Sequence, residues 1–134
     1  MSILDHLTLS VTDYARSRAF YEQALAPLGI VRIAEFGQAC GFGADGKPEF
    51  WIGVGPSSFQ TAAQARAITP MHLAFAAKNR AAVDAFHRAA LGAGAKDFGA
   101  PGLREHYHPN YYAAFVLDPD GHDIEAVVHH ETGV

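Results

Sequence analysis

Cysteine is nearly missing from this chain. Only Cys40 carries a thiol among 134 residues, so no internal disulfide can form, and the chain suits a reducing cytoplasm. An excess of basic residues is missing as well. Lys and Arg number 10 against 14 Asp and Glu, a net charge of −4 with neutral histidines. That balance leaves no electrostatic footprint for nucleic acid and no basic face for an anionic membrane. No apolar run approaches the ~20 residues of a membrane helix. The start, Met1-Ser2-Ile3-Leu4-Asp5-His6, has neither the basic opening nor the apolar stretch of a signal peptide. A cytoplasmic protein that binds neither membrane nor nucleic acid is therefore expected. What is present is 49% hydrophobic residues, enough for one packed domain, and 8 histidines.

The histidines lead to an internal repeat. Asp5-His6-Leu7-Thr8-Leu9 matches Met71-His72-Leu73-Ala74-Phe75, and the same spacing pairs Phe20 with Phe86 and Leu25 with Leu91. Each half opens with an alternating stretch, Ile3 to Val11 and Met71 to Ala76, that reads as a strand. A cap candidate follows each, Asp13 and Asn79, and then apolar residues at helical spacing up to Gly29 and Gly92. Three short strands complete each half: residues 31–36, 38–42 and 49–54, then 96–98, 111–117 and 122–128. Asp45-Gly46 and Asp118-Pro119-Asp120-Gly121 supply turn chemistry between strands. The expectation is an α+β domain of two βαβββ modules, residues 2–54 and 71–128. They are joined by a linker over residues 55–70 that is rich in Gly, Pro, Ser, Thr and Gln, with room for one helical turn.

His6 and His72 occupy equivalent places in the two repeated first strands, and Glu125 lies in the last strand. Two imidazoles and a carboxylate from three strands can converge on one ion if the sheets curl around a cavity. Such a set, with coordination positions left open, suits Fe(II) or Mn(II), and Zn(II) or Ni(II) could also use it. Strand alternation puts Glu125 on a face shared with Asp123 and Val127.

The paired His-Leu strands, the βαβββ repeat and the closing Asp118-Pro119-Asp120-Gly121-His122-Asp123-Ile124-Glu125 resemble the vicinal oxygen chelate superfamily, which includes glyoxalases, extradiol dioxygenases and bleomycin resistance proteins. The resemblance covers essentially the whole chain. It implies curved mixed sheets enclosing a divalent metal, with His6, His72 and Glu125 matching three ligand places, and a homodimer. It implies a lyase, isomerase or dioxygenase acting on a small molecule with vicinal oxygens. The alternative within the same fold is a metal-free protein that sequesters a small molecule. A fourth ligand place falls in the last strand of the first module. Counting from the turn glycines puts Phe50 there, an inserted residue puts Trp51, and a deleted one puts Glu49.

The segment Arg104-Glu105-His106-Tyr107-His108-Pro109-Asn110-Tyr111-Tyr112 reads as a loop over the cavity. His108 and Tyr112 are its candidate acid–base or substrate-contacting groups, since proton transfer near neutral pH calls for such side chains. Phe50 and Trp51 are candidates to line a substrate pocket. His122, just past a turn glycine, is expected at the hydrated surface, and His129-His130 in a terminal tail.

Overall fold

The computed structural model describes residues 3–130. Its elements run β1 (Leu7–Ser10), α1 (Tyr14–Leu25), β2 (Val31–Phe36), β3 (Ala39–Gly43), β4 (Phe50–Gly53), α2 (Ala62–Arg66), β5 (His72–Ala76), α3 (Arg80–Gly92), β6 (Lys96–Leu103), β7 (Tyr112–Leu117) and β8 (Asp123–Val128). Two four-stranded sheets result, ordered β1-β4-β3-β2 and β5-β8-β7-β6. In each, the first strand lies parallel to the last and the remaining pairs are antiparallel. This is the expected α+β architecture, with the helical turn in the linker realised as α2 behind a Thr61/Gln64 capping box.

Local chemistry fixes most boundaries. The Asp13 carboxylate accepts from the Arg16 amide and Asn79 accepts from the Ala82 amide, at 3.1 and 2.8 Å, so both long helices start on satisfied donors. After Leu25 the chain tightens into a 3-10 turn around Pro27 and stops at Gly29, whose φ of 77° favours glycine. The sixth strand departs from expectation. It continues through Gly99-Ala100-Pro101-Gly102 to Leu103, because two register shifts against β7 absorb the residues that cannot pair. The first strand is shorter than expected, with Ile3 fully exposed ahead of it.

Alternation decides which face of each sheet is covered. Leu9, Phe42, Phe50, Ile52, Val116, Ile124 and Ala126 join Phe20, Tyr21, Val83 and Phe86 of α1 and α3 in one core. The two helices also touch each other. Residues of opposite parity, among them Thr8, Trp51, His72, Phe115, Asp123 and Glu125, face away from that core.

The modules meet through polar contacts as well as apolar ones. Phe50 and Phe75 pack edge to face at 5.2 Å. The Tyr21 hydroxyl donates to Asp118 Oδ2 at 2.5 Å, and the Thr12 hydroxyl donates to Asp120. His122 is not at the surface as expected but 1% exposed. Its Nδ1 accepts from the Met71 amide and its Nε2 donates to the Ser10 carbonyl, both at 2.9 Å, which requires the neutral ring. A histidine that bridges two chain segments in this way is held by partners remote in sequence, so a local reading of its turn misses it.

Candidate metal centre

The parallel pairing of β5 with β8 sets His72 opposite Asp123 and Ala74 opposite Glu125. All three polar side chains share the open face. His72 Nε2 lies 2.9 Å from Glu125 Oε2 and 3.9 Å from Asp123 Oδ2. One ligand atom from each residue can be chosen so that all lie within 4.8 Å of one another. The imidazole reaches in from an exposed position, whereas Glu125 is only 5% exposed.

Two neighbouring carboxylates resist simultaneous ionisation away from water. Burial pushes the Glu125 carboxyl from 4.5 up to about 7. The adjacent Asp123 adds to the rise and His72 opposes it. The protonated carboxyl's contribution to stability is fully present below about pH 4.5 and is lost as pH rises through about 7. In metal-free protein, Glu125→Gln keeps a neutral group there at every pH. Thermal unfolding across pH 4 to 8 should show the wild type losing stability relative to this variant; parallel profiles would refute the shift.

The first module offers no matching trio among the described residues. His6 Nδ1 contacts Asp5 at 2.6 Å, and Lys47 pairs with the same carboxylate. The repeat register is informative here. Thr8 is the counterpart of Ala74, and Thr8 pairs with Trp51, so Trp51 stands where Glu125 stands in the second module. The two β-hairpins are of equal length, since Gly41 pairs with Trp51 and Phe115 with Glu125, but the turn glycine Gly46 sits one residue earlier than Gly121 does, which selects the inserted register among those left open by the sequence. Trp51 stacks on Phe36 with ring centres 6.0 Å apart, and with His6, Thr8 and Lys47 it borders a cavity of about 330 Å³. Phe50 points the other way and lines a cavity of about 410 Å³ with Leu7, Phe42, Leu73 and Phe75. Glu49 lies on the rim of that second cavity.

In the loop before β7, the strand's alternation separates two tyrosines. The Tyr112 hydroxyl donates to Asp84 of α3 at 2.6 Å, on the helix-covered side and away from Glu125. Tyr111 is the residue that faces the carboxylates. Burial raises its hydroxyl pKa, and the charges of Glu125 and Asp123 add to the rise. Its ring meets those of Tyr107, His108 and His129 at 4.8, 5.4 and 5.1 Å. His108 Nδ1 accepts from the Asn110 amide, so Nε2 carries the proton donated to His129 Nδ1, 2.5 Å away. Asp123, whose parity with Glu125 is visible in the sequence, and the inward Tyr111 are the two residues of this cluster that the pattern of histidines and the closing motif do not single out.

A sequence model of the Glyoxalase/Bleomycin resistance protein/Dioxygenase superfamily matches residues 3–126. The chain belongs to this superfamily. A glyoxalase/bleomycin resistance protein from Albidiferax ferrireducens is 28% identical over 94% of this chain and 98% of its own, with a TM-score of 0.75. A glyoxalase/bleomycin resistance protein/dioxygenase family enzyme from Burkholderia phytofirmans shares the fold at 20% identity, covering 96% of this chain and 100% of its own, with a TM-score of 0.64. So does an integron cassette protein of V. cholerae, at 23% identity, 97% coverage of both chains and a TM-score of 0.68. A search of curated proteins found no match.

Superfamily proteins often hold divalent metals, and the second module of this member has a donor set that fits one. One imidazole nitrogen and two carboxylates suit a hard or borderline dication. Asp123 Oδ1 is buried and has no hydrogen-bond partner. An unpaired buried carboxylate oxygen is costly, and a cation beside it removes that cost. The ligand His6 implied by the resemblance is not among the atoms that converge.

Proposed function

We propose that this protein is a small divalent-metal enzyme, a lyase, isomerase or dioxygenase, whose substrate presents vicinal oxygens to an ion held by His72, Asp123 and Glu125. The observation that carries this reading is the convergence of three ligand atoms on one open sheet face, with a buried carboxylate oxygen left unpaired. Fe, Mn, Zn and Ni are the candidate ions. When bound, such an ion supplies Lewis acidity that polarises substrate oxygens.

The surrounding residues contribute the rest. Tyr111, its hydroxyl pKa raised, keeps its proton at neutral pH and donates a hydrogen bond from Oη to a substrate oxygen. His108 packs on that tyrosine's ring and its Nε2 donates a proton to His129 Nδ1 at the solvent edge, where an imidazole can pass it on. Phe115 and Val127, on the same face as Glu125, limit water access to the carboxylates. A cytoplasmic homodimer belongs to this reading, and the exposed rings of Phe36, Phe59 and Phe98 supply apolar surface for it.

The test is reconstitution with each of the four ions in turn, followed by assay against vicinal dicarbonyls and vicinal diols. Turnover that requires both an ion and Glu125 is expected. Binding of such compounds that survives a chelator, with no turnover, would instead support the metal-free sequestering protein.

A further inference from the structure

Arg104 lies at the exit of β6, and its guanidinium is fixed on three sides. Nη1 donates to the Gly102 carbonyl at 2.9 Å and Nη2 to the Ala100 carbonyl at 2.8 Å. The group lies over the Phe115 ring, 4.7 Å from its centre. Phe115 pairs with Glu125 on one side and Gly99 on the other, so this cation sits one strand away from the proposed ligands. Strand alternation puts Tyr111 on the same face as Phe115, the face that carries Glu125 and Asp123.

Two glycines make the arrangement possible. A Cβ at Gly99 would stand 2.6 Å from the Phe115 ring and 3.2 Å from Arg104 Nη2, and one at Gly102 would stand 3.2 Å from Nη1. Side chains at these places would push the guanidinium off its shelf. The carbonyls hold Arg104 but do not neutralise it. Among the described residues it makes no ion pair, and part of its donor fork is unused. A rigid, half-buried cation with no counter-charge among the described residues, beside the proposed dication site, is arranged to receive an anion.

We infer that Arg104 is a specificity-determining residue that binds a carboxylate of the substrate, remote from the vicinal oxygens that lie over His72, Asp123 and Glu125. The planar fork matches a carboxylate in two-point contact, so the substrate class is an anionic vicinal-oxygen compound with a second carboxylate. This inference rests on the metal-centre reading above.

The test compares two probes on metal-loaded protein by calorimetry. 2-Oxoglutarate and 2-oxopentanoate share a 2-oxo acid end, and only the first carries a distal carboxylate. Wild type should bind 2-oxoglutarate at least about tenfold more tightly, as a charge-assisted contact warrants. Arg104→Gln should bring the ratio to about one and leave metal content unchanged. Arg104→Lys, which keeps the charge and the stem over Phe115, should give an intermediate ratio and guards against a variant that fails to fold. A merely structural arginine would weaken both acids equally and preserve the ratio. A loaded protein that binds both acids equally, or a ratio unchanged in Arg104→Gln, overturns the assignment of Arg104. A wild type that takes up no ion and binds neither acid overturns the metal centre and this inference with it.

Discussion

Replacing His72 with alanine should lower affinity for a divalent ion by more than about 100-fold, since losing even a supporting residue around a metal commonly costs about 10- to 100-fold. His6→Ala should leave that affinity essentially unchanged. The contrast follows from geometry. His72 Nε2 approaches Glu125 Oε2 at 2.9 Å, and the parallel register fixes both on one face. His6 is engaged with Asp5, and the first module presents the Trp51 ring where the second presents a carboxylate. Titration against a chromophoric chelator would measure both variants. An equal loss in His6→Ala would bring the first strand to the ion, as the family resemblance implies, and would contradict the present assignment.

A second large effect concerns stability. Asp118→Ala should destabilise the protein by about 3–5 kcal/mol, the range for removing one partner of a buried charged network. Asp118 is 5% exposed. Its Oδ2 accepts from the Tyr21 hydroxyl across the module boundary, and its Oδ1 accepts from the amides of Asp120 and His122 at 2.9 Å. Alanine would leave all three donors without this partner, the Tyr21 hydroxyl and the His122 amide among them buried, and a buried donor is costly to leave unpaired. Tyr21→Phe removes one of these bonds and should cost about 1–2 kcal/mol. Urea unfolding of both variants provides the comparison. A loss under about 1 kcal/mol for Asp118→Ala would mean that this network does little to hold the modules together.

These contacts also show where sequence reasoning reaches and where it stops. The caps at Asp13 and Asn79 and the turn at Asp118–Gly121 are local devices, and each is written within a few consecutive residues. The repeat placed His6 and His72 in equivalent strands, and alternation put Asp123 beside Glu125. Burial of His122 could not be read locally, because its partners, Ser10 and Met71, come from remote segments. The choice between Tyr111 and Tyr112 turned on one residue of strand phase, which a loop of aromatics conceals. Likewise, Gly99 and Gly102 look like the end of a strand until the register shifts that carry β6 past them are known. The counterpart of Glu125 in the first module depended on a turn glycine displaced by a single residue within a hairpin of equal length, and only pairing of Thr8 with Trp51 decides it.

Elemental analysis of protein purified without a polyhistidine tag, alongside Glu125→Gln, tests the metal centre most directly. About one Fe, Mn, Zn or Ni ion per wild-type chain is expected, with a marked fall in the variant. No ion in the wild type, even after anaerobic reconstitution with Fe(II) or Ni(II), would contradict it and leave His72, Asp123 and Glu125 as a polar cluster without a metal.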